Sequence, residues 1–110
     1  NEDATGFKIA SAVGTVNQEK AARLTSCLIN RYQNRTGLRY HENTITTDMT
    51  KYHAFDEIHS STQAAIIETG FLNLDYNLLT EHPDIIARGV ADGILCYVRN
   101  EPVEWSTPVP

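Results

Sequence analysis

The sequence predicts an α/β fold, with an open mixed sheet and helices on both of its faces. Residues 64–68 form a short apolar run with two β-branched isoleucines, which is typical of a buried strand. Residues 7–13, between two glycines, favour a second strand. Residues 17–35 and 84–98 carry apolar side chains at helical spacing. Strands and helices therefore alternate along the chain, which is the pattern of an α/β sheet.

The first helix has recognisable ends. Asn17 is a favourable N-cap residue, and Gly37 supplies a stop after Thr36. One side of the helix is apolar and the opposite side is polar. We expect the apolar side to be buried and the polar side to be wet; the first comprises Ala21, Leu24, Cys27, Leu28 and Tyr32, and the second Lys20, Arg23, Asn30 and Arg31.

The second half of the chain is less regular until its last helix. Residues 38–47 give a weak signal for a third strand, 48–62 are polar and irregular, and 75–79 favour a short helix. Pro83 suits the first turn of the last helix, in which Gly89 and Gly93 would allow a close approach to the sheet. So few strands make an incomplete sheet with an open edge.

Composition limits the class of protein. The chain has 110 residues, a net charge of -5 and a sequence pI of about 5.2, so a single acidic domain is expected. Nucleic acid is disfavoured because phosphate binding needs a basic face. The apolar runs are far shorter than the roughly 20 residues that span a bilayer. We place the domain at residues 1–99 and a proline-rich tail or linker at 100–110.

The two cysteines, Cys27 and Cys96, stand far apart without a C-x-x-C spacing. We expect them to be small buried apolar residues, with a disulfide as the alternative and a catalytic thiol as the least favoured role. The chain begins Asn-Glu-Asp, without methionine or signal peptide. A processed chain, an engineered chain or a piece of something longer would each explain that start.

Glu68 is the candidate functional residue. It ends the predicted strand, and ligands of open α/β sheets gather beyond the carboxyl ends of strands. Partial desolvation by the apolar run would suit such a carboxylate to proton transfer near neutral pH, as a general acid or base. The alternative is a structural glutamate that caps a turn or pairs with a surface arginine.

Histidines offer a weaker signal for a metal. His53 and His59 flank Asp56 and Glu57, but a spacing of six does not put both imidazoles on one helical face, as the i,i+4 pair of zinc proteases does. We expect loop histidines, solvated or in contact with substrate, and we assign no metal ligand in this chain.

The segment AAIIETGFLN at residues 64–73 resembles "P-A-[VI]-L-[VI]-E-x-G-F-[LI]-[ST]-N" of the zinc-dependent N-acetylmuramoyl-L-alanine amidases, the autolysin and endolysin type. The likeness covers residues 4–98 in order. It includes the strand at 4–9, the helix at 17–35 with its TGLR step, Asp75 with the leucines 78–79, the His-Pro at 82–83 and the closing helix at 85–98.

The resemblance implies a peptidoglycan hydrolase at the cell envelope or outside the cell. Such enzymes cleave the amide between the lactyl group of N-acetylmuramic acid and L-alanine, with a zinc ion that activates water and a glutamate that acts as general base and acid. By position that glutamate is Glu68. The alternative is a non-catalytic module that binds the wall or a partner and keeps the fold.

One departure concerns the metal. The family's zinc ligands, in Gly-His-Gly and Ser-x-His contexts with a glutamate, precede the matching segments and have no counterpart here. We therefore expect the C-terminal part of an amidase domain, or a degenerate relative, that alone binds no zinc and is inactive. Residues 48–62 and Gln63 also replace the family's apolar segment and proline before the strand. Self-association through an exposed sheet edge is a further expectation.

Overall fold

The computed structural model describes residues 4–12 and 17–105. It contains two strands, β1 (Lys8–Ser11) and β2 (Ala65–Glu68), and two long helices, α1 (Gln18–Thr36) and α5 (Pro83–Val98). The short helices are α2 (Thr47–Thr50), α3 (Ala54–Glu57) and α4 (Tyr76–Glu81), and Glu42–Thr44 form a 3-10 turn. The predicted strand end at residue 13 and the tail residues 106–110 lie outside the described residues.

The sheet is small. β1 and β2 pair antiparallel, with Lys8 opposite Glu68 and Ile9 opposite Ile67. In residues 38–47, where a third strand is weakly indicated, Tyr40 forms a parallel bridge with Phe7. The described fold therefore combines helices with a two-stranded antiparallel sheet. The finer prediction, an open sheet with helices on both faces, stays a prediction.

The core lies between the sheet and the two long helices. Phe7, Ile9, Leu24, Leu28 and Tyr32 form its buried centre, and Ile67 and Val90 pack against it. The predicted apolar side of α1 is confirmed, since all five of its side chains are buried. Gly37 ends α1 with φ of 76°, as predicted, because a residue without Cβ adopts this left-handed conformation freely. Asn17 precedes α1, but its side chain makes no capping hydrogen bond.

Three details of the prediction are wrong. β2 is half-buried and not buried, because only alternate residues of a strand face one side and Ile67 faces the core while Glu68 faces away.

Gly89 and Gly93 approach α1 and not the sheet: a Cβ on Gly93 would lie 2.7 Å from Leu28 Cδ2. Asn30 is buried, because residues 100–104 run along this side of α1 and Asn30 Nδ2 donates to the Glu104 carbonyl at 2.8 Å.

The cysteines also correct the prediction. Cys27 of α1 and Cys96 of α5 form a disulfide, with a Cα–Cα distance of 5.6 Å. Both are completely buried, as expected, but they are bonded to each other. The close α1–α5 approach at Gly93 brings together two residues that stand 69 positions apart in sequence. Within the described residues, no helix is long and apolar enough to cross a membrane.

Candidate functional site

Glu68 lies at the carboxyl end of β2, on the face of the sheet that points away from the core. Its side chain is 53% exposed. Its Oε2 atom lies 4.0 Å from Nζ of Lys8, the residue directly opposite in the sheet. The carboxylate is therefore open to water, and its charged partner is a lysine and not the surface arginine that a structural glutamate was expected to pair with.

Lys8 is held more firmly than its partner. Its side chain is only 13% exposed, and Nζ donates to the Thr44 carbonyl at 3.1 Å. The ammonium also lies 5.4 Å from the centre of the Phe71 ring, within the range of a cation–π contact. The ion pair with Glu68 thus joins a side chain that is held by two other contacts to one that is about half exposed.

His41 completes this surface. Its ring meets Phe71 edge-on, with 5.3 Å between ring centres, and its Nδ1 atom lies 2.7 Å from Thr44 Oγ1. We call the set Lys8, His41, Thr44, Glu68 and Phe71 the Glu68 surface. It brings together an ammonium and a carboxylate 4.0 Å apart, and an imidazole that contacts the same aromatic ring as the ammonium. Such polar groups can bind a polar ligand.

Two buried residues fix the chain where it leaves β2. The Tyr32 hydroxyl donates to the Thr69 carbonyl at 2.7 Å, immediately after Glu68. Burial, and then the charge of Asp75, raise the pKa of Tyr32 to about 12. The Asp75 carboxylate accepts from the Gly6 amide at 3.1 Å, the Phe71 amide at 2.8 Å and the Thr5 hydroxyl. Both flanks of the Glu68–Lys8 pair are therefore tied to the interior.

An apolar groove lies on the opposite face of β2. Its volume is about 520 Å³, and Ile67 of β2, Leu28 of α1, and Val90 and Tyr97 of α5 are among its lining residues. Glu68 does not line it. The described cavity and the candidate proton-transfer residue are thus on different sides of the strand.

The described residues do not fit a zinc ion. No three histidine, cysteine, aspartate or glutamate side chains in the described ranges lie close enough together to hold a metal. His53 and His59 are both exposed: the His53 ring packs on Tyr52, with 4.5 Å between ring centres, and His59 Nδ1 lies 2.7 Å from Ser61 Oγ. Beside Glu68 lies the Lys8 ammonium, which would repel a metal cation.

Comparison with protein-family models, with curated proteins and with solved structures finds no match for this chain.

Sequence reasoning identified Glu68 but missed three residues around it: Lys8, His41 and Tyr32. The position of Lys8 depends on the register of β1 against β2, and strands this short and irregularly patterned fix no register. The helical pattern predicts Tyr32 as a core residue, and it is buried, but its hydroxyl also donates to the Thr69 carbonyl. Because a buried tyrosine hydroxyl usually needs a hydrogen-bond acceptor, the sequence could predict that Tyr32 has a partner, but not that the partner is Thr69.

Proposed function

We propose that this chain is the part of a peptidoglycan amidase domain that carries the proton-transfer glutamate, Glu68. The observation that carries the proposal is the placement of Glu68: a strand-ending carboxylate, open to water, with a charged neighbour 4.0 Å away. The resemblance of residues 64–73 to the amidase segment supports the same residue. The substrate class is the lactyl–L-alanine amide of peptidoglycan.

The chemistry assigned to Glu68 is two proton transfers. As general base the carboxylate accepts a proton from the attacking water, and as general acid it returns that proton to the departing amide nitrogen. One proton thus passes from the attacking water to the departing nitrogen through Glu68, and the carboxylate returns to its ionised form when the C–N bond has broken. Because the described residues do not fit the zinc implied by the resemblance, we derive no step through a metal.

The natural protein is proposed to work at the cell envelope or outside the cell. The Cys27–Cys96 disulfide supports this location, since disulfides persist in oxidising compartments. Its partner is peptidoglycan, with no role for nucleic acid. We propose further that a larger sheet, with helices on both faces, completes the domain.

The edge of β2 supports a second proposal, self-association. Among the described residues, β2 has a backbone partner on one edge only, which leaves the other edge available to a second copy. Sedimentation equilibrium should then show a mass that rises with concentration, and Ile66→Lys should abolish the rise. A concentration-independent monomer would contradict this proposal.

The test of Glu68 uses the complete natural protein that contains this sequence, assayed on purified peptidoglycan. Glu68→Gln keeps the shape of the side chain but removes the proton acceptor, so hydrolysis should fall by about a hundredfold or more. Glu81→Gln, at an exposed position at the end of α4, is the matched control and should retain full activity. Unchanged turnover in Glu68→Gln would remove Glu68 from the mechanism. The isolated 110-residue chain is expected to be inactive and to bind no stoichiometric zinc.

The second candidate function is a non-catalytic module that binds the wall or a partner. The separation of the apolar groove from Glu68 favours this alternative, because a binding surface on the other side of β2 needs no proton transfer. Co-sedimentation with insoluble peptidoglycan, without release of soluble fragments by the complete protein, would identify it.

A further inference from the structure

Lys8 has the geometry of a positioning residue, and this inference rests on the proposed role of Glu68. The Lys8 side chain is only 13% exposed, although lysine is among the residues that are least often buried. Its contacts with the Thr44 carbonyl and the Phe71 ring hold it in place, and they come from two separate segments of the chain. A lysine with no task beyond solubility would not need to be fixed in this way.

The pairing of Lys8 with Glu68 is favoured by this immobilisation. An exposed ion pair is generally weak, because two long side chains lose rotamer freedom to form it. Here Lys8 is already ordered by Thr44 and Phe71, so only Glu68 is restricted when the pair forms. At 4.0 Å the two groups attract without a direct hydrogen bond, which leaves the Glu68 oxygens free to bond a ligand or water.

We propose that Lys8 is a positioning residue for Glu68: it draws the carboxylate to one side of the exposed strand end and keeps it there during the proton transfers. His41 belongs to the same arrangement, because its ring contacts Thr44 and Phe71, the two groups that hold Lys8. Lys8 acts through Glu68 and makes no contact of its own with the reacting atoms.

The experiment compares single and double variants of the complete natural protein in peptidoglycan hydrolysis. Lys8→Met removes the ammonium and retains the length of the side chain. We expect kcat to fall about twofold to fivefold, the scale of an exposed ion pair, with KM unchanged. Lys8→Arg should recover most of the rate, because a cation is restored. Lys20→Met, at an exposed site in the first turn of α1, is the control and should change nothing.

The double variant separates positioning from an independent effect. In the Glu68→Gln background, Lys8→Met should cause no further loss, because Lys8 acts only through the carboxylate. An equal loss in both backgrounds, or no loss in the single variant while Glu68→Gln lowers the rate, would overturn the role of Lys8 alone. Unchanged hydrolysis in Glu68→Gln would instead overturn the proposed function. Thermal unfolding distinguishes a rate effect from a folding defect, and a Lys8→Met protein that loses activity only by unfolding would also contradict the proposal.

Discussion

At the scale of single residues, Tyr32 links the stability of the fold to pH. Its pKa is about 12 in the folded chain against an ordinary value of 10.0, first because it is buried and then because Asp75 is negative. The folded state therefore keeps this proton where the unfolded state loses it. The stability from Tyr32 is complete below pH 10 and is lost as the pH rises from about 10 to about 12.

We therefore expect the contribution of Tyr32 to the free energy of unfolding to fall by up to about 1.4 kcal/mol per pH unit in that window. Urea denaturation at pH 8 to 11.5 measures the slope. Burial also raises the pKa of Tyr40, so the comparison with Tyr32→Phe is needed to isolate the Tyr32 contribution. The variant should be less stable at pH 8, because it loses the bond to Thr69, and should show a shallower slope. Equal slopes in the two proteins would contradict the assignment.

At the scale of elements, the packing of α5 on α1 depends on the absence of a side chain at Gly93. A Cβ there would lie 2.7 Å from Leu28 Cδ2 and 2.8 Å from Leu28 Cα. The second atom belongs to the backbone and does not move without moving α1. Alanine favours a helix over glycine by about 1 kcal/mol, but overpacking of a closed interface costs about 1 to 3 kcal/mol.

Gly93→Ala should therefore destabilise the protein by up to about 2 kcal/mol, measured as a shift of the urea midpoint. Arg88→Ala, at an exposed site of the same helix, measures the ordinary effect of alanine and should lie within about 0.5 kcal/mol of the parent. A gain in stability from Gly93→Ala would mean that the helices separate without cost.

Local sequence patterns predict the two long helices, but they do not predict the contacts between segments that are distant in sequence. α1 and α5 follow from local periodicity and from end signals such as Gly37 and Pro83, and the structure places them within about two residues of the expected bounds. The partner of Glu68 does not follow, because it depends on how β1 and β2 align. The disulfide does not follow either, because the approach of Cys27 to Cys96 results from the packing of two helices distant in sequence.

At the scale of the whole molecule, the Cys27–Cys96 bond closes a loop of 69 residues, more than half of the chain. Closing so long a loop restricts the unfolded chain and stabilises the fold by about 4 kcal/mol. The double variant Cys27→Ala/Cys96→Ala should lose about that much, and a reductant should destabilise the parent but not the variant. Equal urea midpoints of the parent with and without reductant would show that the bond contributes little.

A disulfide joins α1 to α5, whereas β1 and β2 are strands of only four residues each. This difference should be visible in hydrogen exchange. Amides in α1 and α5 should exchange slowest, because their opening requires disruption of the helix interface around the disulfide. Amides of β2, a four-residue strand, should exchange through a smaller, local opening that leaves both helices intact. On this expectation β2 opens before the helix pair does, once the bonds of Tyr32 and Asp75 beside Glu68 break, and the strand end can then adjust to a ligand while the two helices stay closed.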